Sequence, residues 1–465
     1  MMKTKIAGCW AALALVAASG WASDAGRGAA VPGFMSTRGF ARTSLLDKSE
    51  GKEAIVRFRF ELPYGLAAGW RVPYLGFSDV PAGEFNIEIL RVAALVDFPD
   101  ASRKPGGHQL TFSGKPNVVV PRDNVVESDA VNVPVPPGAV LYVETYYRNA
   151  APAGKLPCMN WGYTAAGIDA GLVGDRDALA ASSGSPEREL YTGPTPPAPL
   201  LAGQPYLIRS YQPMGVVGRP HPDYRGPVTP VVFIGDSIAI ANGDFGRADA
   251  DDPYPARGWN GRVCADRVPY LVYGQGGSTG VGFRNLQGKP LFVYLFGDGS
   301  AGRKFTHLVD GYGINNLRDR YRRADRATDW QLIWRQRAEF AAIAHRQGLA
   351  YLHTTLTPMT AGCMVIGEGL QDKKPAEVFA DFIADRRTFN EQVRTTSGEI
   401  PGCVGFIDCG GAVEENPAAG DNRWLAAFIL DGIHPNSAAC RKMAAAVPPD
   451  LFAKHPNPLP PVNDR

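Results

Sequence analysis

Val231-Val232-Phe233-Ile234-Gly235-Asp236-Ser237-Ile238 is the stretch that decides how this chain folds. Four apolar residues in a row, three of them β-branched, read as a strand covered on both faces, and Gly-Asp-Ser marks the turn that ends it. The same unit recurs downstream at 269–273 (PYLVY), 305–310 (FTHLVD), 350–356 (AYLHTTL) and 404–408 (VGFID). Helical patterns lie between these runs, at 329–347 and at 376–394, the second with Val378, Phe379, Phe382, Ile383 and Phe389 at helical spacing. Strand–helix alternation predicts a parallel sheet covered by helices, and in such sheets the chemistry gathers in loops at the carboxyl ends of the strands.

Upstream of residue 228 the period is different. In 53–62 the residues Ala54, Val56, Phe58, Phe60 and Leu62 alternate with Ile55, Arg57, Arg59 and Glu61, the mark of a half-buried strand. Phe85, Ile87 and Ile89 repeat the pattern, and 110–112, 118–120, 131–135 and 139–147 are further short strands between Gly, Pro and Asp/Asn turns. Pro134 marks an edge or bulge. Short strands without intervening helices predict an antiparallel β-sandwich over 35–215, ahead of an α/β domain over 228–450. Residues 181–205 are rich in Ser, Gly and Pro and read as an irregular excursion, with 206–211 returning as a last strand.

The beginning of the chain reads as a secretory signal peptide. Lys3 and Lys5 precede a short apolar core at 11–18 (AALALVAA), and Gly20-Trp21-Ala22 places small residues for cleavage after Ala22. Ile6-Ala7-Gly8-Cys9 has the look of a lipoprotein box, yet it precedes the apolar core that such a box should follow. An exported protein is expected, periplasmic or extracellular. The chain holds 48 Lys+Arg against 46 Asp+Glu, and loss of Lys3 and Lys5 makes these equal. A neutral chain without basic blocks argues against nucleic-acid binding, and no later stretch is apolar enough for stable membrane insertion. Cys158, Cys264, Cys363, Cys403, Cys409 and Cys440 remain after cleavage, an even number compatible with three disulfides, Cys403–Cys409 among the possible pairs. Free buried thiols are the alternative.

The strand ends carry the candidate chemistry. Ser237 stands just past the first buried strand, placed for solvent access and for a following helix. A serine hydroxyl needs a base, and an imidazole base needs a carboxylate to set its tautomer. Asp431-Gly432-Ile433-His434-Pro435 supplies both groups three residues apart, before the last helix. A tetrahedral oxyanion needs donors, and two Gly-rich loops offer them: 274–280 (GQGGSTG) and 311–316 (GYGINN). The bland readings are a capping Asp-Ser pair, glycine turns, and an Asp431 that caps the final helix.

These loops, in the order GDS, Gly-rich, GxN and DxxH, resemble the SGNH hydrolases, the GDSL esterase/lipase superfamily, over about 228–450. The resemblance implies a flavodoxin-like three-layer α/β/α sandwich. It implies Ser237 as nucleophile, His434 as base and Asp431 as its partner. The oxyanion would be held by the Ser237 N–H, by Gly277 or its neighbour Gly276, and by Asn315. No metal or organic cofactor is implied. Two positions depart from the family pattern: Asn316 replaces the usual Asp after Asn315, and Val272 stands where members often carry Asn. The β-rich leader also resembles that of exported bacterial members, through Phe112-Ser113-Gly114, Glu127-Ser128-Asp129 and 142–147.

A rival exists. Gly276-Gly277-Ser278-Thr279-Gly280 is a literal G-x-S-x-G, the α/β-hydrolase elbow. The residues after it make a weak helix, with Gly288 and Pro290 close by, so Ser237 is the better nucleophile. The function expected is a secreted serine esterase that deacetylates carbohydrate such as an acylated polysaccharide. A lipase or lysophospholipase, or an inactive carbohydrate-binding protein on the same scaffold, are the alternatives. His353 reads as a packed core residue, 329–347 as a helix face on the sheet, and His221-Pro222-Asp223 as linker. Acyl chain length, leaving alcohol and oligomeric state have no signature in the sequence.

Overall fold

A computed structural model describes residues 51–76, 87–97, 106–159, 170–174 and 211–454, with strand segments at 33–34, 37–41 and 43–45. Short stretches inside those ranges, the longest being 245–256, are outside the description. The expected signal peptide, the 181–205 excursion and the strand expected from residue 206 fall outside the described residues.

The buried apolar runs form one parallel sheet, ordered Cys403–Ile407, Ala350–Thr354, His307–Asp310, Val231–Gly235, Tyr270–Gly274 and Thr37–Ala41. Numbered along the chain, its five downstream strands run 5-4-3-1-2, the flavodoxin-like doubly wound order. Every residue of Val231–Gly235 and of Tyr270–Gly274 is buried, as expected of strands with helices on both faces. Helices Trp330–Arg346 and Pro375–Thr396 are among the covers; Ile333, Phe340, Phe382 and Phe389 join the core of the sheet.

The upstream half is antiparallel. Its six-stranded sheet includes Glu53–Leu62, Ile87–Asp97 and Ala139–Asn149, with the period-two burial that the sequence predicts. A second core, containing Phe58, Phe60, Trp70, Tyr74, Leu141 and Tyr147, fills one side of it. The expected strand at 131–135 is not regular. Val131 and Val135 make isolated bridges to Trp70 and Leu66, because the Pro134 between them has no N–H to continue a ladder. The Phe-Ser-Gly and Glu-Ser-Asp motifs turn out to be one clamp. The Asp129 carboxylate accepts from Ser113 N–H at 2.9 Å, Gly114 N–H at 2.8 Å and the Thr111 hydroxyl at 2.6 Å, holding a turn in which Ser113 has a φ of 51°.

Two sequence readings need correction. Thr37–Ala41 lies in the span assigned to the first domain, yet it pairs in parallel with Tyr270–Gly274, from Thr37 opposite Tyr270 to Ala41 opposite Gly274. Thr-Arg-Gly-Phe-Ala has neither alternation nor an apolar run to announce it, yet its backbone pairs along the whole strand. The halves are further tied by the Arg257 guanidinium on the Glu61 carboxylate (2.7 and 2.9 Å), by Tyr64 and Thr229 hydroxyls 2.9 Å apart, and by Tyr294 donating to Glu127 at 2.6 Å. The second correction concerns disulfides. Cys264, Cys363, Cys403, Cys409 and Cys440 all carry free thiols. Cys403 opens the strand Cys403–Ile407 and Cys409 follows its far end. An extended chain of that length separates them by roughly 15–20 Å, and a disulfide tolerates about 7 Å between Cα atoms.

Candidate active site

Three neighbouring strands, Val231–Gly235, Tyr270–Gly274 and His307–Asp310, end side by side, and the loops that follow carry Ser237, Gly277 and Asn315. The helix that the sequence reading expected directly after Ser237 is not there. The chain instead makes tight turns over 236–243, with Ile240 N–H on Asp236 O and Asn242 N–H on Ser237 O, and among the described residues the next helix is Gly258–Cys264.

Asp431 and His434 arrive from a loop ahead of the helix Ser437–Ala445. Asp431 is not that helix's cap; Asn436 is, accepting from Ala439 N–H at 3.1 Å. Asp431 instead folds its own loop. Oδ1 accepts from His434 N–H at 2.9 Å and from Ile433 N–H at 3.2 Å, and Oδ2 takes His434 Nδ1–H at 2.7 Å. Partial burial pushes the Asp431 carboxyl up, but these hydrogen bonds outweigh it and leave the group below the usual carboxylate range. The Cys363 thiol donates to Asp431 O at 3.1 Å and holds the loop from behind. With Nδ1–H given to Asp431, the ring's lone pair is on Nε2. Ser237 Oγ lies 2.9 Å from that nitrogen across a sequence separation of 197 residues. Ser237 is 7% exposed, enough to meet a substrate from one side.

Gly277 is exposed, with a φ of 74°, and a Cβ built there would meet nothing within 4 Å. Its loop therefore needs glycine for conformation, and its outer side is open. Asn315 is buried in the first turn of Ile314–Arg322, and its Nδ2 donates to Asp236 Oδ2 at 3.1 Å and to Ser278 O at 3.2 Å. Both amide hydrogens are engaged, so this donor would reach an oxyanion only by exchanging one of those partners. Asn316, the departure from the family pattern, is buried away from reacting groups, with Nδ2 on Gln336 Oε1 at 3.0 Å. The Ser278 side chain hydrogen-bonds the Tyr312 phenol. The imidazole bonded to a serine at these strand ends is thus on Ser237.

Below the loops is a layer of buried charge that the sequence did not announce. Asp236 is fully buried, and desolvation pushes its carboxyl up to about 7, against the pull of Ile238 N–H, Arg318 and Arg337. Burial also raises Asp310, which accepts from Tyr351 Oη at 2.8 Å and Tyr312 N–H at 2.9 Å. Arg337 reaches in from Trp330–Arg346, 3.8 Å from Asp310 Oδ2, and donates to Thr354 O at 2.7 Å and to Tyr312 O. Polar residues within an otherwise apolar helix face were the available sign. Asn242 Nδ2 also stands 3.1 Å from His434 Nε2, and nothing in its local pattern marks it. Among the described residues no group of three His, Cys, Asp or Glu could hold a metal ion, and no helix is long and apolar enough to cross a membrane.

The sheet order is the flavodoxin-like one, and the loops at its carboxyl ends are those whose sequence resembles the SGNH hydrolases. No protein-family model matches the chain, and no curated protein does. Solved structures similar to it include an alpha/beta hydrolase from the metagenome of Lake Arreo, Spain, at 18% identity over 48% of this chain and 94% of that one, with a TM-score of 0.30. Another is an acetylxylan esterase from Geobacillus stearothermophilus, at 15% identity, 48% and 93% coverage and a TM-score of 0.30. A third is a GDSL-like lipase from Bacteroides thetaiotaomicron, at 16% identity, 49% and 88% coverage and a TM-score of 0.29.

Proposed function

We propose that this protein is an exported serine ester hydrolase of the SGNH type. The observation that carries the reading is the continuous relay of Ser237 Oγ, His434 and Asp431 at 2.9 and 2.7 Å, at the carboxyl edge of a doubly wound sheet. His434 takes the hydroxyl proton as Oγ attacks the ester carbonyl. Asp431, held ionised, keeps the proton on Nδ1 and stabilises the imidazolium. The Ser237 and Gly277 N–H groups receive the oxyanion, joined by Asn315 Nδ2 as it exchanges Ser278 O or Asp236 Oδ2 for it. His434 then protonates the leaving alcohol, and water activated by the same nitrogen releases the acid. The proton that Nε2 takes from that water passes back to Ser237 Oγ as the acid leaves, so hydroxyl and imidazole end the cycle as they began it.

The finer reading is deacetylation of carbohydrate. Its support is the expected export signal and the β-rich half, fastened to the catalytic half by Arg257–Glu61 and Tyr64–Thr229, which would serve as a sugar platform. The mature N-terminus of the protein recovered outside the cytoplasm should begin at Ser23. Activity should be measured on acetylated xylo-oligosaccharides, p-nitrophenyl acetate and long-chain lipids. Ester hydrolysis should be strongest on acetyl groups and fall by about 10⁴-fold or more in Ser237→Ala, whose fold is checked by circular dichroism. Full activity in Ser237→Ala together with its loss in Ser278→Ala would transfer the nucleophile to the neighbouring loop. Preference for long acyl chains would make the protein a lipase.

A further inference from the structure

Asn242 touches the same imidazole nitrogen as Ser237. Its Nδ2 lies 3.1 Å from His434 Nε2, against 2.9 Å for Ser237 Oγ. The approach is built into the backbone. Asn242 N–H donates to Ser237 O at 2.9 Å, closing a turn on Ser237 itself. Ala241, within that turn, has a φ of 66°, a left-handed conformation that disfavours any residue with a Cβ. Gly243 follows at 98°, and a Cβ there would meet Pro435 O at 2.6 Å and His434 Cβ at 2.9 Å. Turn and histidine loop therefore interlock, with the carboxamide pressed against the ring. Strain held at one position and an obligatory glycine at another mark a geometry that the surrounding fold imposes.

We propose that Asn242 is a positioning residue that keeps His434 unprotonated at Nε2 by donating a carboxamide N–H to its lone pair, an inference that rests on the esterase reading above. His434 Nδ1–H is committed to Asp431 Oδ2 at 2.7 Å, so Nε2 is the ring's acceptor. An amide N–H is attracted to that nitrogen while it is bare. Once a proton sits there, two donors face each other and the contact becomes repulsive. Asp431 acts in the opposite sense, since its negative charge favours a cationic ring. The other charged groups near the turn are turned elsewhere. Asp244 is bound by the Arg262 guanidinium at 3.0 Å and by Gly258 N–H at 2.9 Å, and Asp236 faces Asn315 and Ile238 N–H. Hydroxyl and carboxamide thus share one lone pair. When Ser237 transfers its proton to Nε2, the carboxamide must withdraw, and its opposition speeds return of that proton to the leaving alcohol.

The test uses Asn242→Ala, which removes the donor, and Asn242→Asp, which replaces it with an acceptor. Profiles of kcat/KM against pH on p-nitrophenyl acetate are read beside ¹⁵N NMR of histidine-labelled protein, with the His434 signal assigned through His434→Gln. In Asn242→Ala we expect KM within about twofold, kcat/KM at pH 6 lowered by about threefold to tenfold, the worth of one hydrogen bond, and the acidic limb moved to higher pH. Asn242→Asp should move it further, and the ring titration should follow the same order. The NMR arm needs no turnover, so it still decides the matter if Ser237→Ala shows the esterase reading to be wrong. An acidic limb and a ring titration that stay in place in both variants would overturn the proposal. A shift to lower pH in Asn242→Ala would also overturn it, because the carboxamide would then be stabilising the protonated ring.

Discussion

Among the described residues, two serine hydroxyls lie within hydrogen-bond distance of a histidine. Ser237 Oγ is 2.9 Å from His434 Nε2, and Ser397 Oγ is 2.7 Å from His353 Nε2. The closer pair is the inert one. Ser397, at the C-terminal end of Pro375–Thr396, spends its proton on Val393 O one turn back, so it can only accept from the His353 ring. His353 is wholly buried, its Nδ1 has no partner, and desolvation, helped by the positive charge of Arg337, pushes its imidazole well below the ordinary range. His434 has a carboxylate on Nδ1, a serine on Nε2 and a path to solvent. A serine–histidine distance therefore says little until the direction of the proton is known, and the second ring nitrogen decides that direction.

The contrast can be broken most sharply at the carboxylate. Asp431→Asn should lower kcat for ester hydrolysis by about 10³–10⁴-fold while the loop stays folded, since an amide no longer forces the proton onto Nδ1. Retention of full activity would show that the partner on Nδ1 is not what separates the two histidines. Next comes the oxyanion side, which the His353 pair lacks. Asn315→Ala is expected to cost on the order of 10²–10³ in kcat with a smaller change in KM. Should only the melting temperature fall, Asn315 is a brace for Asp236 and Ser278 and nothing more. Ser397→Ala is predicted to keep activity within about twofold and to lower stability by about 1–3 kcal/mol, the cost of leaving a buried ring N–H unpaired. Thermal melting and a p-nitrophenyl acetate assay read both numbers, and a large loss of turnover at unchanged stability would give the buried pair a role.

The smallest effect concerns the carboxyl beneath Ser237. Burial raises Asp236 from the ordinary range to about 7 in the folded protein. A raised carboxyl stabilises the fold most when both states are protonated, below about pH 4, and that contribution fades as pH climbs through 7. Asp236→Asn does not titrate. Its melting temperature relative to the parent protein should therefore improve from pH 5 to pH 8, and a difference that stays constant over that window would mean that Asp236 keeps one charge state throughout.

Much of this site was legible in the chain itself. Val231–Ile234 with Gly-Asp-Ser behind it, and Asp431 three residues before His434, are local patterns, and each puts its groups where one strand or one loop dictates. The bland reading of His353 was equally local, a histidine inside an apolar strand. Asn242, Arg337 and Asp310 were silent, because what they do is set by partners 17 to 192 residues away. Thr37–Ala41 was misassigned for the same reason: an edge strand can be held by its backbone, which every residue but proline offers alike. The cysteines failed as disulfides because parity counts thiols and says nothing of their separation.

Periodicity and turn chemistry alone determined a parallel sheet preceded by an antiparallel one, and they placed the reactive residue types at strand ends, because burial leaves its period in the residues that are buried. Tertiary structure alone decided which serine meets which imidazole, which way each proton points, and which strand closes the edge of the parallel sheet. Those choices depend on distances between segments far apart in the chain, and such distances exist only once the segments have packed.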